Sequence, residues 1–174
     1  GEQKVITEYF KDFKGTLLDI GANDGITFSN SKRLIELGWG GILVEPSPTV
    51  FQKLVDLHSE NDKILLLECA IAEEDGFMVL HESGHHLPDK SDYALLSTLK
   101  PEETKRWKKT VPFKQVEVKV VTWKTLCNSI GITPEHYFDF ISIDAEGLDV
   151  EIMKQIDLSK TKMICVEHNG NEEA

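Results

Sequence analysis

Short apolar runs alternate with amphipathic stretches along the whole sequence, and this alternation limits what the chain can fold into. Buried strands separated by helices are typical of a parallel sheet that is covered on both faces. Because crossovers between parallel strands are right-handed, we predict a Rossmann-like, doubly wound and mostly parallel α/β sheet. The length of 174 residues matches one domain, which we assign to residues 1–174.

The individual elements follow from apolar spacing and from cap and turn residues. Ser47 before Pro48 predicts the start of one helix, and Thr122 and Gly131 predict the start and end of another. We predict further helices at residues 28–37, 101–109 and 148–156, a half-exposed strand around residues 116–120, and strands at residues 16–20, 42–44, 63–69, 77–80, 138–143 and 163–166.

Charge and cysteine content exclude several classes of protein. The net charge is −11, which argues against a nucleic-acid partner because phosphate backbones require a basic face. Three cysteines lie far apart without zinc spacing, so we expect reduced thiols and a cytoplasmic location. The longest apolar stretch, residues 64–72, is far shorter than the ~20 residues of a membrane span, so we expect no membrane segment within this chain.

The turn after the first predicted strand contains two glycines and two acids. Gly21 and Gly25 allow the backbone to approach a ligand closely, and Asn23 tolerates a left-handed conformation. Asp19 and Asp24 would repel a diphosphate, whereas they suit the sulfonium and ammonium charges of S-adenosylmethionine. The alternative interpretation is an ordinary tight turn with solvated aspartates.

Glu45 ends the second predicted strand, 24 positions after Gly21. An acidic residue about 20 positions after such a turn accepts hydrogen bonds from ribose hydroxyls. A carboxylate can accept two donors at once, which matches a vicinal diol. The alternative interpretation is a surface glutamate before a proline.

Four segments together resemble the FkbM-type S-adenosylmethionine-dependent methyltransferases. They are LDIGANDG at residues 18–25, GWGGILVEPSP at residues 38–48, FDFISIDAEGLD at residues 138–149 and, more weakly, CVEHN at residues 165–169. The resemblance implies a class I methyltransferase fold that transfers a methyl group from S-adenosylmethionine to a hydroxyl of a small molecule or sugar. It also implies a set of cofactor-binding residues: Asp19, Gly21, Ala22, Asn23, Asp24 and Gly25 on the methionine side, Glu45 at the ribose, and Pro46, Ser47, Cys69 and Ala70 at the adenine.

Two departures from the family pattern affect these expectations. Many methyltransferases have glycine where Asn23 stands, although the FkbM pattern tolerates asparagine. Domains of the family also continue into a closing hairpin after the last strand, and this sequence lacks it. We therefore expect either an incomplete substrate wall or a truncated chain, and a non-catalytic binding module stays open as an alternative function.

Acidic residues follow the strand predicted at residues 138–143. We predict that Asp144 and Glu146 face the cleft as catalytic residues and that His168 is a further candidate base, whereas Asp149 stabilises a helix N-terminus. The two acids could instead bind the methionine ammonium. In a further alternative, a metal-assisted O-methyltransferase, Asp144, Glu167 and Asn169 hold Mg²⁺, which lowers the pKa of the acceptor hydroxyl. We assign no metal ligand.

Residues 81–110 form the long polar region of the sequence, and we predict a lid or substrate loop there. His81, His85 and His86 lie in this region without a further zinc ligand, so we interpret them as solvated. The basic residues around Trp107 fit a solvated helix face better than a nucleic-acid site.

Overall fold

A computed structural model describes residues 2–85, 93–107 and 109–167 of the chain. Strands and helices alternate, as predicted, except for three successive strands within residues 64–83, and the fold class is confirmed. The elements in chain order are α1 (Glu2–Phe10), β1 (Thr16–Ile20), α2 (Lys32–Glu36), β2 (Gly40–Val44), α3 (Pro48–His58), β3 (Ile64–Leu67), β4 (Ala70–Ile71), β5 (Gly76–Ser83), α4 (Thr104–Trp107), β6 (Phe113–Val121), α5 (Trp123–Ile130), β7 (Phe140–Ile143), α6 (Asp149–Met153) and β8 (Met163–Val166).

The main sheet has five strands in the order β3-β2-β1-β7-β8, and all its pairs are parallel. The chain winds outward from β1 in both directions, so the connection reverses between β1 and β7. Crevices for ligands open at such a reversal, beyond the carboxyl ends of the strands. The strands have continuous apolar sequences because both faces of the sheet are covered. Leu17 and Leu18 of β1 and Phe140 of β7, for example, are fully buried.

A second sheet has the order β4-β6-β5, with β5 antiparallel to β6. The sequence predicted the strand of β5, but it ends at Ser83 rather than at residue 80. Residues 81–110 are therefore not one open loop, because His81 also forms a β-bridge with Thr98. This bridge folds residues 93–99 back onto the sheet. The lid role itself stays a prediction.

The capping residues predicted the starts of α3 and α5 correctly. The Ser47 side chain accepts a hydrogen bond from the Val50 amide at the start of α3, and Thr122 accepts one from the Thr125 amide at the start of α5. Gly131 ends α5 in the left-handed conformation, as its position predicted.

Three other helices differ from their predicted bounds. The helix expected at residues 28–37 begins only at Lys32, because Phe28 has a positive φ of 53° that an α-helix does not accommodate. The elements at residues 101–109 and 148–156 shorten to α4 and α6. Helix α1 was not predicted; it buries Ile6 and Phe10 in one cluster with Trp39.

No helix in the described part of the chain is long and apolar enough to cross a lipid bilayer.

Candidate active site

A cleft opens beyond the carboxyl ends of β1, β2 and β7, where the direction of winding reverses. Polar and apolar side chains from the strand ends and from residues 93–99 share its wall. The wall contains Asp19, Ile20, Gly21, Ala22, Asn23, Thr27, Phe28, Ser29, Asn30, Val44, Glu45, Pro46, Cys69, Ala70, Ile71, Leu80, Ala94, Leu95, Ser97, Leu99, Ser142, Asp144, Ala145, Glu146, Leu148 and Ile152. Most of the cofactor-binding residues predicted from the sequence therefore lie together in space.

The glycine turn crosses close over the end of β7. The amides of Gly21 and Ala22 both donate to the Val44 carbonyl, at 2.9 Å and 3.1 Å. Gly21 has a φ of 82°, and a Cβ there would lie 1.8 Å from the carbonyl oxygen of Asp144. Only glycine fits, because both the backbone conformation and the available space exclude a side chain. The turn therefore brings the main chain of β1 and the acidic end of β7 to one place.

Glu45 is held in the cleft wall by two main-chain donors. The Asn23 amide donates to its Oε2 at 2.9 Å, and the Ser47 amide donates to its Oε1 at 2.8 Å. Burial raises the pKa of Glu45 to about 7, against the effect of these two hydrogen bonds. The carboxylate has a fixed orientation, and each oxygen keeps capacity to accept a further hydroxyl donor.

Asp19 is a second buried acid of the cleft, at 4% exposure. Its Oδ2 accepts a hydrogen bond from the Ser31 hydroxyl. Burial raises the pKa of Asp19 to about 6, and hydrogen bonds from Ser31 and Ser142 oppose the shift. A buried carboxylate of this kind favours a cationic ligand, because a nearby positive charge offsets the loss of water.

Asp24 and Gly25, which we predicted to bind cofactor, are not among the residues that line the cleft. The Oδ1 of Asp24 accepts the amides of Ile26 and Thr27 at 2.9 Å and 2.8 Å, and Oδ2 accepts the Thr27 hydroxyl. Both oxygens therefore hold the turn that follows, in the way that aspartate side chains commonly do. Asp24 thus holds its own turn in the ligand-free structure, whereas the charge of Asp19 acts on Glu45.

On the side predicted to hold adenine, the structure brings Pro46, Cys69 and Ala70 to the wall but not Ser47. Ser47 is fully buried, and its hydroxyl donates to Glu82. The wall also includes apolar residues that the sequence analysis missed, namely Leu80, Ala94, Leu95 and Leu99. Except for Leu80, which follows the strand alternation, they come from an irregular segment with no periodic signal.

Asp144 and Glu146, which line the cleft, form an acidic cluster with Glu167, and their carboxylate oxygens lie within 4.8 Å of one another. Asp144 is accessible to solvent in the open cleft, yet protein surrounds its carboxylate on most sides. This loss of water raises its pKa, and the charges of Glu167 and Glu146 raise it further. The raised pKa keeps more of this carboxyl group protonated in the ligand-free protein, and a bound cation would favour the ionised form that can accept a proton.

Asp149 stabilises the turn before α6, at the helix N-terminus where we predicted its role. Its carboxylate is buried and accepts the amides of Ala145 and Gly147, at 2.8 Å and 3.1 Å. It thereby shapes the turn that carries Glu146. His168 and Asn169, the other residues proposed for this region, lie outside the described residues, as does His86.

A doubly wound sheet with a glycine turn after its first strand and a buried acid after its second strand is typical of Rossmann-like α/β domains. Within that class the chain belongs to the methyltransferase FkbM domain family, whose family model matches residues 19–174. The match supports a methyltransferase function, as the sequence motifs predicted.

Among solved structures, the chain is similar to the crystal structure of the methyltransferase FkbM from Methylobacillus flagellatus KT. The identity is 13% and the TM-score is 0.45, with coverage of 82% of this chain and 28% of that one. The chain therefore spans less than a third of the length of that protein. No curated protein shows a significant match to the sequence.

Proposed function

We propose that the chain binds S-adenosylmethionine in the cleft and methylates a hydroxyl group of a small molecule or sugar. The observation that carries the proposal is Glu45, a buried carboxylate at the end of β2 whose two oxygens are oriented by the Asn23 and Ser47 amides. This arrangement suits the two hydroxyls of a ribose. Membership of the FkbM family supports the same conclusion.

The charge of the cleft supports a cationic cofactor rather than a dinucleotide. Asp19 and Glu45 are both buried, and the pKa of each is raised by burial, to about 6 and about 7. A diphosphate would add negative charge beside two carboxylates that already lack water. A sulfonium or ammonium group would instead stabilise their ionised forms.

S-adenosylmethionine, when bound, supplies an activated methyl group on a positively charged sulfur. The protein has to hold the acceptor hydroxyl in line with that methyl group and to accept its proton. Correct placement can supply ~7–11 kcal/mol, while a general base contributes about 10²–10⁴-fold. Positioning should therefore dominate, with Asp144 or Glu146 as the proton acceptor in the described part of the cleft. His168 stays a further candidate.

Calorimetric titration with S-adenosylhomocysteine tests the cofactor proposal. The wild-type chain should bind it, and Glu45→Ala should weaken binding by about tenfold or more, because hydrogen bonds to a charged group are lost. Glu60→Ala is the matched control, since Glu60 is an exposed glutamate that follows α3. A folded wild-type sample that shows no binding at millimolar concentration would contradict the proposal.

A release assay for S-adenosylhomocysteine, run against a panel of hydroxyl compounds, separates an enzyme from a non-catalytic module. Methyl transfer to any member of the panel supports O-methylation. Cofactor binding without turnover on sugars, phenols and hydroxy acids would favour the binding module instead.

The acidic cluster favours a second candidate, a metal-assisted O-methyltransferase. Three carboxylates within 4.8 Å of one another, on Asp144, Glu146 and Glu167, are ligands that Mg²⁺ accepts. Such an ion would lower the pKa of an acceptor hydroxyl. Loss of activity with a strong chelator, and its return with added Mg²⁺, would support this candidate. Full activity in the chelator would refute it.

A further inference from the structure

Glu82 is a buried carboxylate that the proposed reaction does not use. It lies on β5, and its side chain is only 1% exposed. It accepts hydrogen bonds from the Ser47 hydroxyl and, at 2.8 Å, from the Tyr93 hydroxyl. Within the part of the chain that the structure describes, these hydroxyls are its only side-chain partners. Burying a carboxylate is costly, so its partners indicate what it stabilises.

Through Ser47, Glu82 reaches the acid that we assign to the ribose. Ser47 is fully buried, and its hydroxyl also accepts the Val50 amide at 3.5 Å, so the side chain has little freedom. Its own amide donates to Glu45 at 2.8 Å. The interaction with Glu82 therefore fixes the residue that orients one oxygen of Glu45.

Through Tyr93, Glu82 reaches the residue that orients the other oxygen. The Tyr93 carbonyl accepts the side-chain amide of Asn23 at 3.4 Å. The main-chain amide of Asn23 donates to Glu45 at 2.9 Å. Asn23 has a positive φ of 49°, which is an uncommon conformation that needs such support.

These contacts close a ring of hydrogen bonds that runs Glu82, Ser47, Glu45, Asn23, Tyr93 and back to Glu82. Two members of the ring, Glu45 and Asn23, line the cleft, whereas Glu82 lies behind the wall. We propose that Glu82 is a positioning residue for cofactor binding, which holds Glu45 and Asn23 in the orientation that receives the nucleoside. The inference rests on the proposed function.

Charge does not explain why an acid occupies this position. Burial is the main reason that the pKa of Glu45 is raised, and the charges of Asp19 and Glu82 raise it further. Glu82 thus opposes the ionisation of Glu45. Its benefit is geometric, because one carboxylate can accept both hydroxyls, whereas an apolar residue could not link them.

A double-mutant cycle on the affinity for S-adenosylhomocysteine tests the role. Glu82→Leu removes the acceptor that the Ser47 and Tyr93 hydroxyls share and should weaken binding by about tenfold. Glu82→Gln should rescue it to within about threefold, since an amide can accept one hydroxyl and donate to the other. In a Glu45→Ala background, Glu82→Leu should cost less than about threefold, because the residue that it positions is gone. Glu117→Leu, at an exposed glutamate on the neighbouring strand β6, is the control and should change nothing.

The possible outcomes are distinct. A purely structural role of Glu82 predicts the same loss with and without Glu45, and that result would overturn the inference. An unchanged affinity in Glu82→Leu overturns it as well, while the proposed function stands. If Glu82→Leu does not fold, Tyr93→Phe removes a single hydroxyl from the ring and should weaken binding measurably, and an unchanged affinity there overturns the inference. Absence of binding by the wild type overturns the proposed function and this inference together.

Discussion

The raised pKa of Glu45 predicts how the stability of the ligand-free protein depends on pH. The folded protein holds the proton of Glu45 up to a pKa of about 7, whereas the unfolded chain releases it near its ordinary value of 4.5. Between these values the folded state binds more protons than the unfolded state. The contribution of Glu45 to the free energy of unfolding is therefore greatest at low pH and declines as the pH rises through this window.

The size of the effect follows from the same two values. A shift from 4.5 to about 7, at about 1.4 kcal/mol for each pKa unit, gives about 3 kcal/mol over the full window. About 2–3 kcal/mol of this falls between about pH 5 and about pH 8. Little solvent screening applies, because Glu45 is only 5% exposed.

Glu45→Gln isolates this contribution, because glutamine does not titrate. The variant loses one of the two main-chain hydrogen bonds to Glu45, and that loss is the same at every pH. Denaturant unfolding of wild type and variant should show the variant gaining about 2–3 kcal/mol relative to wild type from about pH 5 to about pH 8. The measured quantity is the difference between wild type and variant, because other groups also change the stability with pH. Burial lowers the pKa of His58, so the contribution of His58 to the free energy of unfolding rises with pH in the same window. A stability difference that does not change with pH would refute the reasoning, because it would show that Glu45 ionises normally.

Two further predictions concern the turn and the acidic cluster. Gly21→Ala should destabilise the fold by about 3 kcal/mol or more, because its Cβ would meet the Asp144 carbonyl. Gly131→Ala should cost only about 1 kcal/mol, because Gly131 has a positive φ but open space around it. Thermal unfolding of both variants checks this prediction, and equal losses of stability would contradict it. Asp144→Asn should lower the methyl-transfer rate by about 10²–10⁴-fold while leaving the affinity for S-adenosylhomocysteine unchanged. A weaker affinity with an unchanged rate would instead assign Asp144 to the methionine ammonium.

The sequence was sufficient for the features that depend on local chemistry. The parallel strands could be predicted because residues such as Leu18 and Ile141 lie in continuous apolar runs, and α3 could be predicted because Ser47 and Pro48 together begin a helix. The position of Glu45 at the cleft also follows from spacing alone.

The features that depend on distant contacts could not be predicted in this way. β4 has only two residues, Ala70 and Ile71, so no periodicity reveals that they pair with β6. The residues at 94–99 reach the cleft because His81 and Thr98 form a bridge, which nothing local encodes. One signal was present but unused: Glu82 shares the buried face of β5 with Leu80, and an acid at such a position indicates a specific partner.

The burial of Asp19 and Glu45 connects the stability of the fold with its selectivity for a ligand. Both carboxylates lose water in the folded state, and serine hydroxyls and main-chain amides offset the loss only partly, since both pKa values stay raised. The free protein is therefore less stable at neutral pH than it would be with uncharged residues there. A cationic nucleoside reverses this cost by stabilising both ionised groups, whereas a diphosphate increases it. The proposed function therefore requires that this glycine turn favour a cation over the phosphates that similar turns accept in other folds.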